Sequence, residues 1–280
     1  MTLLSHQSDR DDAALVPGTA PSRISPWLMP VVYPLGRFLV LPSYFGNIRV
    51  YGREHLPTDG PVILAPTHRA RWDALMIPFA AGRHVTGRDP RFMVSADEVV
   101  GVQGWFIRRL GGFPVDTRRP SIASLRHGVE LLRQGEMLVI FPEGGIYRDG
   151  EVHPLKPGLG RLAIQAHTSN PLGNLRVVPM SLHYDPSCPK WGCDVEIRIG
   201  QPLAVQDYCD RPTKEAAKDL IRDLGDRLQE LDRERIQSTH RSLAGSSRSQ
   251  SKQWPSVDSL KTVTLHAQHQ FPRLERSDIQ

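Results

Sequence analysis

Lysine is absent from this 280-residue chain until Lys156. Residues 26–120 carry twelve arginines against seven acids, an excess of five that equals the net charge of the whole chain, +5. A basic segment of this kind implies an anionic partner, either a membrane surface or a phosphorylated ligand. Its charges are mixed with acids and form no basic run, which argues against nucleic acid. Cysteine is scarce too. Three residues, Cys188, Cys193 and Cys209, exclude a disulfide framework and lack close-pair metal spacing, so they read as reduced thiols. With 39% apolar and 23% charged residues, the composition excludes a collagen-like, fully disordered or polytopic membrane chain.

An uninterrupted apolar span is also missing. The most apolar stretch, Pro26 to Asn47, carries a single charge, Arg37, but Pro26, Pro30, Pro34 and Pro42 break its helix continuity. Trp27, Tyr33 and Tyr44 are side chains of the type found at bilayer interfaces. The segment 26–47 therefore reads as one or two short helices lying in a membrane interface or over an apolar groove. Before it, residues 1–25 lack periodicity, and Asp9, Asp11 and Asp12 stand where a secretory signal needs positive charge. They are expected to be a disordered tail. Residues 239–280, rich in Ser, Gln and His, are expected to be a second one.

Between the tails, 26–238 reads as a single domain of alternating strands and helices. Short β-branched or apolar runs at 48–51, 62–65, 92–95, 137–141, 176–183 and 195–199 alternate with helical patterns at 71–79, 121–133, 158–167 and 213–236. In the second helix Ser121 is the N-cap, and Ile122, Leu125, Val129 and Leu132 form one face. This order predicts an α/β fold: a mostly parallel sheet flanked by helices, with an apolar N-terminal helical segment.

Four short strings carry chemistry. The strand before His68 delivers this residue to a sheet edge, where α/β folds bind ligands, and Asp73 follows five residues later. Within a continuous helix the two would not face each other. If His68 lies in the turn before the helix, Asp73 fixes the imidazole tautomer, and the other ring nitrogen takes a proton from a hydroxyl. No Ser or Cys nucleophile stands nearby. The second string, Gly111 to Arg119, pairs two glycines with Arg118 and Arg119, whose forked guanidinium groups suit a phosphate. The third, Phe141-Pro142-Glu143-Gly144-Gly145-Ile146-Tyr147-Arg148, ends a buried strand. The fourth is Val178-Pro179-Met180, also at a strand.

In this order and spacing the four strings, within about residues 48–200, resemble the blocks of the glycerolipid acyltransferase family. His68 and Asp73 match its H-x-x-x-x-D block, and Gly112–Arg118 loosely match its second. Phe141 to Gly144 match F-P-E-G, and Val178, Pro179 and Met180 match the last. The chain departs from the pattern at Gly145 and Ile146, where Thr then Arg are usual, and at Thr117, which displaces the expected arginine.

The resemblance implies an enzyme acylating the sn-2 hydroxyl of 1-acylglycerol-3-phosphate from acyl-carrier protein or acyl-CoA, with no metal or other cofactor. His68 is the implied base and Asp73 its partner. Gly112, Arg118, Arg119, Glu143, Gly144 and Arg148 are the implied acceptor site, and Val178, Pro179 and Met180 the implied acyl channel. The implied location is the cytoplasmic face of a membrane, at an anionic surface, with a lysophospholipid as substrate. The departures leave another lysophospholipid, a lyso-ornithine lipid or glycerol-3-phosphate as alternative acceptors. A non-catalytic lipid-binding protein and a thioesterase are further readings.

Overall fold

The structure, a computed structural model, describes residues 23–116 and 121–250. Arg118 and Arg119 lie outside the described residues, as do residues 1–22 and 251–280. The chain divides into one unit reaching Arg233 and a second from Glu234 onward.

The first unit is built on an eight-stranded sheet: β1 (Ile48–Tyr51), β2 (Val62–Pro66), β3 (Arg91–Ser95), β4 (Gly112–Val115), β5 (Met137–Val139), β6 (Arg176–Asp185), β7 (Asp194–Ile199) and β8 (Leu203–Ala204). The strand order is β1-β7-β6-β2-β5-β3-β4, and β8 also pairs with β6. The pairs β2–β5, β2–β6, β3–β4, β3–β5 and β1–β7 are parallel, whereas β6 runs antiparallel to β7 and β8. The helices are α1 (Met29–Pro34), α2 (Leu41–Tyr44), α3 (Asp73–Ala81), α4 (Arg83–Thr86), α5 (Gly101–Arg109), α6 (Ile122–Arg133), α7 (Gly158–Ser169) and α8 (Thr213–Gln250). This is the expected α/β arrangement.

Strand β2 shows why the core has two layers. All five of its residues are buried, as an inner strand covered on both faces requires. Its side chains alternate. Val62 and Leu64 join Leu41, Phe45 and Met76 on one face, whereas Ile63 and Ala65 join residues of α6, α7 and the first turns of α8 on the other.

The N-terminal segment is helical, as expected, and its path is set by proline. Pro34 interrupts α1, and a π-helical turn, Leu35–Val40, connects it to α2. Met29 and Leu41 are buried, but Val31, Leu35, Leu39 and Phe38 are exposed, Phe38 by 72%.

Some boundaries differ from expectation. Ser121 does cap α6, its Oγ accepting from the Ser124 N–H at 3.1 Å, but Ile122 faces outward. Residues 23–25, expected in the tail, are tied to α5: Ser25 N–H donates to the Arg109 carbonyl at 2.9 Å, and Ile24 bridges to Leu110. Helix α8 continues to Gln250, into the segment expected to be a tail. Both α5 and β4 went unread in the sequence. The helix has weak apolar periodicity and two glycines, and the strand contains Pro114, which is tolerated at the sheet edge where β4 lies.

Candidate active site

Strand register brings the first and third motifs together. In the parallel pair β2–β5, Leu64 lies opposite Val139, an offset of 75 residues. Continued past the strand ends, the same offset sets His68 beside Glu143, and there the His68 N–H donates to Glu143 Oε2 at 2.8 Å. Both motifs thus occupy the edge formed by the C-terminal ends of parallel strands, the usual ligand edge of such sheets.

His68 sits in the turn before α3, the geometry under which the pair can meet. Its Nδ1 lies 2.8 Å from Asp73 Oδ2. The same oxygen accepts the N–H of Arg69 at 2.7 Å and of Ala70 at 2.9 Å. Asp73 Oδ1 accepts the Tyr184 hydroxyl at 2.6 Å. Asp73 is fully buried, so these four donors replace its water shell. A carboxylate surrounded by donors assigns the Nδ1 proton to His68 and leaves Nε2 as the basic nitrogen. The imidazole stacks on Phe141, 3.9 Å between ring centres, and its side chain keeps 19% exposure toward the cavity that it lines.

Glu143 is fully buried beneath this pair. Its oxygens accept from the Arg69 guanidinium at 2.9 and 3.1 Å and from the N–H of His68 and of His153. Arg69 also donates to the Glu151 carbonyl at 2.8 Å. Glu143 is therefore an internal strut that orders Arg69 and the backbone of His68. Beyond it, Gly144 has φ +70°, a left-handed conformation suited to glycine, and the Tyr147 N–H donates to the His68 carbonyl at 2.9 Å. This loop turns Gly144, Gly145 and Ile146 toward the cavity.

The cavity measures about 710 Å³. Its floor includes His68 and Phe141, its roof comes from the N-terminal segment, and β3, α5 and β4 supply one wall, Gly112 among them. Most of its lining is apolar. Val178, Pro179 and Met180 do not line it. Strand β6 runs between β7 and β2, and these residues are packed in the sheet interior. Arg148 is exposed and does not line the cavity either.

Sequence reasoning missed Arg69, Tyr184, and Arg71, which lines the cavity and pairs with Glu98 at 2.7 Å. Arg69 had one signal, its place beside His68. Tyr184 had none, since 111 residues separate it from Asp73. Burial, then the charge of Asp73 and the bond to it, holds the Tyr184 hydroxyl far above the usual phenol range, so it remains a donor. Tyr184→Phe is expected to lower stability by about 1.5–3 kcal/mol, because a buried carboxylate oxygen loses its donor. Denaturant midpoints of the two proteins measure this.

The chain is similar to known proteins. The family model described as Acyltransferase matches residues 47–183. The 1-acyl-sn-glycerol-3-phosphate acyltransferase of Bacillus subtilis is 29% identical over 197 residues, covering 69% of this chain and 92% of that protein. Mouse mitochondrial glycerol-3-phosphate acyltransferase 1 is 29% identical over 159 residues, 51% of this chain but 19% of that protein. The crystal structure of the 1-acyl-sn-glycerophosphate (LPA) acyltransferase PlsC from Thermotoga maritima shares the fold, with a TM-score of 0.56 and 22% identity over 73% of this chain and 80% of that one. The matched stretch runs from just before β1 through most of β6 and encloses His68, Asp73 and Glu143, and over it this chain carries an acyltransferase domain.

Proposed function

We propose that the protein transfers a fatty acyl group from acyl-carrier protein or acyl-CoA to the sn-2 hydroxyl of 1-acylglycerol-3-phosphate, giving phosphatidate. The observation that carries this reading is the His68–Asp73 pair at the floor of an apolar cavity, with no nucleophilic side chain beside it. His68 Nε2 takes the proton of the acceptor hydroxyl as its oxygen attacks the thioester carbonyl. The new C–O bond forms, the C–S bond breaks, and the imidazolium returns its proton to the departing thiolate. Asp73 stabilises the imidazolium meanwhile. Gly145 and Ile146 line the cavity, as His68 does, and their backbone N–H groups make no hydrogen bond among the described residues. They are the donors for the carbonyl oxygen as it gains charge.

The experiment is acyl transfer by the purified chain to lysophosphatidate, with acyl-CoA and acyl-carrier protein offered separately. Glycerol-3-phosphate, lyso-ornithine lipid and other lysophospholipids serve as competing acceptors. Gly145 and Ile146, in place of the usual Thr and Arg, make that panel necessary. Phosphatidate formation supports the reading. Faster transfer to another acceptor replaces the acceptor and keeps the chemistry.

The same reading sets the protein on the cytoplasmic face of a membrane. No helix among the described residues is long and apolar enough to cross a bilayer. The support lies in exposed apolar side chains: Trp27, Val31, Leu35, Phe38 and Leu39 on the N-terminal segment, and Val102 and Trp105 on α5. Trp27 and Trp105 approach to 6.5 Å between ring centres, and the Arg109 guanidinium lies 4.1 Å from the Trp105 ring. Neither Phe38 nor Leu39 lines the cavity. The double substitution Phe38→Asp/Leu39→Asp is expected to weaken binding to phosphatidylglycerol-containing vesicles by about 100-fold or more, since each buried side chain contributes roughly 1.5–3 kcal/mol. Co-sedimentation reads the loss, and unchanged binding would remove this face from the membrane contact.

A further inference from the structure

Arg37 is the lone charge between Pro26 and Asn47, yet it does not follow its neighbours Phe38 and Leu39 outward. It lines the cavity together with Phe79 and His84. Its guanidinium carbon lies 5.0 Å from the centre of the Phe79 ring and 5.6 Å from that of Phe38, and its Nη1 donates to His84 Nε2. Burial, followed by the charge of Arg37, pushes the His84 imidazole below its usual range, which keeps the ring neutral and able to accept. The guanidinium has five N–H donors, and this bond uses one.

Cationic groups act on the Arg37–His84 pair. Arg53 is close enough for its own guanidinium to be disfavoured by burial and then by the charge of Arg37. The charged groups that act on His84 are these two arginines. Arg71, the other arginine of the cavity lining, is already paired with Glu98. Arg37 forms no ion pair with a carboxylate among the described residues. Arg37 and His84 meet at the apolar cavity with the charge of Arg53 acting on the imidazole, and an anionic ligand supplies the counter-charge that Arg37 lacks among the described residues. Phosphate suits the planar guanidinium fork, and the neighbouring cavity suits an alkyl chain.

We propose that Arg37, Arg53 and His84 form an anion subsite at the cavity rim, taking a phosphate monoester whose hydrocarbon chain lies in the apolar cavity. Arg37 and Arg53 lie outside all four motifs. Two ligands of an acyl transfer carry this chemistry: the glycerol phosphate of the acceptor and the ribose phosphate of an acyl-CoA donor. This choice of sources rests on the proposed function, whereas the subsite itself does not.

Binding comes first, with dodecyl phosphate and dodecanol as probes on the full chain. R37Q is expected to weaken dodecyl phosphate about 10- to 100-fold, the loss of charge-assisted hydrogen bonds, and to leave dodecanol unchanged. R37K should keep most of the affinity for dodecyl phosphate. Unaltered dodecyl phosphate binding in R37Q overturns the subsite. So does an equal loss of both probes, which would mean that Arg37 only shapes the cavity. If R37Q fails to fold, R53Q is read by the same criteria. Turnover then separates the sources. A raised KM for lysophosphatidate at constant KM for acyl-CoA assigns the subsite to the acceptor. A raised KM for acyl-CoA, absent with acyl-pantetheine, assigns it to the donor. Arg37-dependent binding of dodecyl phosphate in a protein that makes no phosphatidate retains the subsite and discards the proposed acceptor.

Discussion

His68→Ala is expected to lower kcat/KM for acyl transfer by about 10³-fold, within the roughly 10²–10⁴ that a positioned base contributes. The fold should persist. The imidazole is partly exposed, and the strut below it is held through the His68 backbone N–H, which alanine retains. Asp73 would keep its three remaining donors, from Arg69, Ala70 and Tyr184. Initial rates with a thioester donor, together with a thermal melt, separate loss of the base from loss of structure. Full activity in a folded His68→Ala protein would defeat the assignment of the base and require another proton acceptor at the cavity.

Glu143→Ala should act chiefly on stability, by about 3–5 kcal/mol, because it leaves Arg69 buried without its counter-charge. The Arg69 and Glu143 side chains are 5% and 0% exposed, so water cannot replace the lost partner without disrupting the loop. For a unit of this size, that loss corresponds to a fall in Tm of about 10 °C. Arg69→Met in the Glu143→Ala background removes the orphaned charge, and the two changes should cost less together than the sum of the singles. Additive costs would show that Arg69 and Glu143 act independently. Activity should fall in the single variant as well, since Glu143 fixes the backbone N–H of His68.

Local strings revealed the chemistry, and long-range pairing hid its supports. His68, Asp73 and Glu143 stand at or just beyond strand ends, where residue type and spacing carry meaning, and the alternation of strands and helices was enough to expect the sheet. The role of Glu143 was not legible. A carboxylate at a strand end looks the same whether it faces a ligand or an arginine, and the register of β2 against β5 decides between them. The surroundings of Val178 to Met180 were hidden for a related reason. An apolar strand shows that something covers it, and only the strand order shows that helices and neighbouring strands do so rather than a substrate. Arg37 lies in the π-helical stretch after Pro34, a local distortion that no periodic pattern announces.

The route of the chain between β2 and β5 separates two kinds of change. After the His68 turn the chain travels out to the sheet edge, builds β3, α5 and β4, and returns to β5 beside its starting point. The excursion supplies one wall of the cavity, while the two ends of the journey hold His68 and its strut Glu143. Lengthening or reshaping α5 and its flanking loops alters the room for a hydrocarbon chain without disturbing the bond between His68 and Glu143. The room beside the proposed base can therefore drift through this detour while the pairing of His68 with Glu143 stays locked by strand register.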